Sequence, residues 1–61
     1  MKRGKLIKHL EAHGCTLKRH GNKHDIYAND ALNTQTTIPR HPDIKDLLCK
    51  EICKQLGIPK I

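Results

Sequence analysis

The chain has 61 residues, with one tyrosine and no tryptophan or phenylalanine, so its core is aliphatic and small. A chain this short buries only about 60% of the surface it exposes when unfolded, which argues for one domain over residues 1–61 and against a deep substrate cavity. Twelve Lys and Arg against six Asp and Glu give a formal charge of +6, a field that favours an anionic partner: nucleic acid, an anionic membrane surface or an acidic protein.

The opening residues, MKRGKLIKHLEAHG, are amphipathic. Leu6, Ile7, Leu10 and Ala12 place most apolar groups on one stripe, predicting a helix over roughly residues 4–13. Gly14 follows at the position where a helix end tolerates the left-handed conformation. Lys2, Arg3 and Lys5 sit at the positive end of the helix dipole. That placement is locally unfavourable and points to a use other than helix stability. No apolar run approaches the ~20 residues that cross a bilayer, and the start lacks the apolar stretch of a secretory signal, so no membrane association is expected. Three cysteines, Cys15, Cys49 and Cys53, form no disulfide framework, and a cytoplasmic location follows.

Two candidate strands come next, CTLKRH and KHDIYAN, separated by Gly21-Asn22. These two residues tolerate the positive φ that a tight hairpin needs. Alternation groups Cys15 with Leu17 on one face, and Thr16 with Lys18 and His20 on the other. In the second strand His24, Ile26 and Ala28 share the face expected to meet the helices, leaving Asp25 and Tyr27 on the opposite one. DALN reads as a turn, and TQTTIP as a third strand closed by Pro39. A last helix spans roughly residues 43–56, with Ile44, Leu47, Leu48, Ile52 and Leu56 at helical spacing. Pro42 suits its first turn, and Gly57 and Pro59 end it. The order is α-β-β-β-α, an α+β fold. A three-stranded antiparallel sheet with two helices on one face is the simplest way to bury both apolar stripes.

His24 is the strongest candidate for chemistry. It stands at the mouth of its strand, partly desolvated yet reachable, with Arg19, Lys23, His20 and Lys18 in the same hairpin. An imidazole gives or takes a proton near neutral pH, and neighbouring cations can hold a phosphodiester and offset charge on its oxygens. Those are the requirements for RNA cleavage through the ribose 2′-hydroxyl. A solvated hairpin tip accounts for the same residues. Arg40 and His41, just before the last helix, form a second candidate phosphate site. A capped loop with His41 or Asp43 as the cap is the alternative there. Tyr27, the lone aromatic, reads as a base-stacking or partner-contact residue on the outer face. Cys49 and Cys53 share a helix face, but they read better as small apolar fillers than as zinc ligands, and no metal or cofactor is expected.

Taken in order, LIKHLEAHGC, LKRHGNKHDIY and TIPRHPDIKDLLCKEICKQLGIP resemble the HicA toxin family, the toxins of HicA–HicB toxin–antitoxin pairs. The resemblance covers nearly the whole chain. The commonest family signature reads Gly-Ser-His. Here Asn22 and Lys23 precede the histidine, and the glycine stands one place earlier at Gly21. The resemblance implies a fold like the double-stranded-RNA-binding domain. It also implies metal-independent endoribonuclease cleavage of mRNA that arrests translation and growth, with His24 as the catalytic histidine. The implied partner is a HicB-like antitoxin that occludes that histidine. The toxin alone is expected to be a monomer and the toxin–antitoxin complex higher order. A non-catalytic RNA-binding module of the same fold is the alternative. A DNA-binding co-repressor is disfavoured, because three strands separate the helices and leave no helix-turn-helix.

Overall fold

A computed structural model describes all 61 residues. The elements run α1 (Arg3–Ala12), β1 (Cys15–His20), β2 (His24–Asn29), β3 (Thr34–Pro39) and α2 (Asp46–Leu56). The strands form one antiparallel sheet in the order β1-β2-β3, so the expected α-β-β-β-α arrangement is the one observed. No helix is long and apolar enough to cross a membrane.

Both helices pack on one face of the sheet. Leu6 and Leu10 of α1 and Cys49, Ile52, Cys53 and Leu56 of α2 close over Cys15, Tyr27 and Ile38. The face of β2 that they cover is the reverse of the one alternation suggested. Asp25, Tyr27 and Asn29 point into the helices, paired across the sheet with Ile38, Thr36 and Thr34. His24, Ile26 and Ala28 share the other face, which no helix covers. Tyr27 is only 7% exposed and belongs to the core, so it is not on an outer face to stack on a base. Apolar residues occupy both parities of β2, and what decides between them is hydrogen bonding from distant segments. Asn29 donates from Nδ2 to the carbonyl of Leu56 at 3.0 Å, and Thr36 donates from Oγ1 to Gln55 Oε1 at 2.5 Å. Buried polar groups are tolerable only when paired in this way.

Strand β1 carries a bulge. Leu17 pairs with Tyr27, Arg19 with Ile26 and His20 with Asp25, while Lys18 falls between registers. The extra residue reverses the alternation, so Arg19 joins Ile26 on the open face and His20 turns to the helix side with Asp25. Simple alternation had grouped His20 with Thr16 and Lys18.

The buried stripe of α2 is Cys49, Ile52, Cys53 and Leu56, at i, i+3, i+4 and i+7. Leu47 and Leu48, expected in that stripe, are 80% and 40% exposed. The cysteines are free and buried, filling space as expected, and burial pushes all three thiols up from their ordinary range. The helix begins at Asp46 rather than near residue 43, because the preceding segment pairs with the chain start. The Arg3 N–H donates to the Pro42 carbonyl at 2.9 Å, and the Ile44 N–H to the Met1 carbonyl at 2.8 Å. Pro42 therefore sits in this bridge, outside the helix. Lys45 at the helix start makes no side-chain cap, and neither His41 nor Asp43 serves as one. Gly57 ends α2 in the left-handed conformation at φ 74°, as a helix terminus of this kind requires.

Candidate functional site

The hairpin between β1 and β2 presents different chemistry on its two sides. Its turn is Gly21–Lys23, closed by a hydrogen bond from the Gly21 N–H to the His24 carbonyl at 2.7 Å. Neither Gly21 nor Asn22 has a positive φ, contrary to the expectation for a two-residue turn. Glycine is required at residue 21 for another reason. A Cβ there would lie 2.8 Å from the His24 carbonyl oxygen, so a side chain would push apart the bond that sets the position of His24.

His24 is exposed at the first residue of β2 and shares the open face with Ile26 and Arg19. Lys23 is exposed beside it in the turn. Farther along the same face, Lys18, Arg19, Ile26, Ala28 and Gln35 line a shallow depression of about 520 Å³. Lys18 is held over this depression by an ion pair with Asp30 at 2.8 Å.

On the helix side of the same hairpin lies a second cluster. The Asp25 carboxylate is buried and bound from three directions. Arg3 donates from Nη2 to its Oδ2 at 2.6 Å, His20 from Nδ1 to Oδ1 at 2.7 Å, and Arg40 from Nε to Oδ1 at 2.9 Å. Arg40 also donates to the Gly21 carbonyl at 2.7 Å and Arg3 to the Pro39 carbonyl at 3.0 Å. α1, the hairpin and the end of β3 are thus pinned on one carboxylate. The His20 hydrogen bond is the largest influence holding the Asp25 carboxyl below its usual range. Burial opposes it, and Arg40 adds to it through a hydrogen bond and its charge. Arg3, His20, Asp25 and Arg40 line an open cleft of about 480 Å³.

Of the residues singled out from sequence, His24, Arg19 and Lys18 thus share the open face with Lys23 beside them, and His20 and Arg40 meet on Asp25. His41 is exposed in the loop after β3, and Tyr27 is in the core. Sequence reasoning missed Arg3 and Asp25 as members of a site. One signal was present: a cation at the wrong end of a helix dipole, with no acidic residue in that first turn to offset it. No three His, Cys, Asp or Glu side chains converge as a metal-binding group.

The chain is thus a small basic α+β domain with an exposed histidine in a cationic hairpin. The sequence model of one family, described as HicA toxin of bacterial toxin-antitoxin, matches residues 3–58. The chain belongs to the HicA toxin family, and membership implies a cognate antitoxin partner. Comparison with curated proteins and with solved structures gives no match.

Proposed function

We propose that this protein is an endoribonuclease toxin that cleaves mRNA in the cytoplasm without a metal ion, acting as a single domain. His24 is the general acid or base of the reaction. Lys23 and Arg19 hold the phosphodiester and offset charge on its non-bridging oxygens, with Lys18 extending the cationic track along the open sheet face. Arg40 and His41 lie farther from this track and contribute to the surrounding field. A HicB-like antitoxin restrains the toxin by covering His24. The observation that carries the reading is an exposed imidazole at the rim of the uncovered sheet face, on a backbone held by the Gly21–His24 hydrogen bond and flanked by cations.

The test compares wild type with His24→Ala, in bacteria for growth arrest and RNA fragments, and in vitro with a chelator present. Loss of a general acid or base costs about 10²–10⁴ in rate, while RNA affinity stays within a few-fold. Full-speed cleavage by His24→Ala rules out the assignment. RNA binding with no cleavage by wild type identifies a non-catalytic RNA-binding module instead. The cationic depression beside Arg19 favours that module as the second reading.

A further inference from the structure

We infer, resting on the ribonuclease reading above, that His20 is the second proton-transfer residue of this site and that Asp25 is the positioning residue that aims it. The His20 side chain is 70% exposed, while the Asp25 side chain that grips it at 2.7 Å is 9% exposed. An ionised carboxylate only accepts, so Nδ1 carries the hydrogen of that bond and Nε2 is the nitrogen turned outward. Asp25 cannot swing with the ring, because Arg3 and Arg40 hold both of its oxygens and are themselves tied to backbone carbonyls.

A structural lock does not need this histidine. Two guanidinium groups already bind the carboxylate, and an ion pair made by a largely exposed partner adds little stability. The chain nevertheless uses a bulge at Lys18 to bring His20 round to Asp25, and bulges of this kind re-aim side chains. His20 is also the only histidine in the chain's ion pairs.

The placement suits an in-line reaction, in which the attacking and departing oxygens lie on opposite sides of phosphorus. His24 leaves the hairpin end on the open face and His20 on the helix side, with the turn Gly21–Lys23 between them. RNA crossing this end meets one imidazole on each side. His24 takes the proton from the ribose 2′-hydroxyl as the O2′–P bond forms. The P–O5′ bond breaks, its electron pair passes to O5′, and His20 Nε2 supplies the proton that makes the 5′-hydroxyl. The other product is a 2′,3′-cyclic phosphate. Exchange with water then restores both rings. Asp25 keeps the His20 ring aimed before and after the transfer: an ion pair while the ring is protonated, a hydrogen bond once it is neutral.

The experiment uses a single-site oligoribonucleotide and its analogue with sulfur in place of the bridging 5′ oxygen, a leaving group that needs no acid. His20→Asn is expected to cut cleavage of the ordinary substrate about 10²–10⁴-fold, to abolish the alkaline limb of the pH–rate profile, and to recover to within about tenfold of wild type on the thio substrate. Asp25→Asn is expected to lower kcat with KM within about twofold. His24→Ala is expected to be slow on both substrates. Cleavage of the ordinary substrate by His20→Asn within threefold of wild type overturns the inference, as does a loss that the thio substrate fails to recover. Either result leaves the ribonuclease reading standing. A wild type that cleaves neither substrate sinks that reading, and this inference with it.

Discussion

Replacement of Tyr27 by alanine tests which side of the sheet is the inside. Tyr27 is 7% exposed and lies among Leu6, Ile38 and the α2 stripe in the core cluster. Truncating a buried aromatic ring to alanine costs about 3–5 kcal/mol, the lost transfer energy plus the cavity left behind. At about 0.05–0.15 kcal/mol per residue, a chain of this length has roughly 3–9 kcal/mol in total. Tyr27→Ala is therefore expected to lose between about a third and all of its stability. Tyr27→Phe keeps the ring in place and is expected to stay within about 1 kcal/mol of wild type. Urea titration followed by circular dichroism reads both. If Tyr27→Ala unfolded at the wild-type midpoint but lost RNA affinity, Tyr27 would be a surface contact, and the assignment of His24 to the open face would fall with it.

Two further outcomes follow from charge. If Lys18, Arg19 and Lys23 each neutralise one phosphate of single-stranded RNA, the salt slope is about −2.1, and affinity falls roughly 20-fold between 50 and 200 mM salt. A change under about threefold in a filter-binding series refutes a phosphate-centred interface. The second outcome concerns Asp25, whose carboxyl is held down chiefly by the His20 hydrogen bond. A carboxyl lowered in the folded state adds stability above its unfolded pKa of about 3.9, and that stability is lost as pH falls through the folded value. The thermal margin of wild type over Asp25→Asn is thus expected to be full near pH 6 and to shrink below about pH 4. A margin unchanged at pH 3 refutes the pairing.

The element order was legible because each boundary is punctuated by a residue with a local job: Gly14 after α1, the turn DALN, Pro39 closing β3 and Gly57 ending α2. The sheet's inner face was not legible. In KHDIYAN, Ile26 and Ala28 speak for one parity and Tyr27 for the other. The polar residues that settle it, Asp25 and Asn29, are satisfied by Arg3 and Leu56, which lie 22 and 27 residues away. No local period carries that information. In α2 two stripes compete: the helix turns Cys49, Ile52, Cys53 and Leu56 inward, and Leu47 and Leu48 fall on its outer side, although Ile44 before them is buried. His24 and its cations were legible as a cluster of residue types. The Arg3–His20–Asp25–Arg40 cluster was not, since a bulge and a helix docking create it.

The sheet's facing and the Arg3–His20–Asp25–Arg40 cluster are physically linked, and the link bears on the chemistry. Had the sheet faced the other way, His24 would lie under the helices and Asp25 would be an ordinary surface acid. Asp25 shares the inner parity with Tyr27 and Asn29, and a buried carboxylate requires cationic partners. Arg3 supplies one at the N-terminus of α1, where the helix dipole alone would disfavour it, and Arg40 supplies another from the end of β3. The same parity that buries Asp25 exposes His24, its neighbour in the chain. The bulge at Lys18 then lets β1 serve both sides at once, with Arg19 beside His24 on the open face and His20 against Asp25. One packed aromatic ring and one extra residue in a strand thus give a hairpin end with a histidine on each side, which is what a two-sided proton transfer needs.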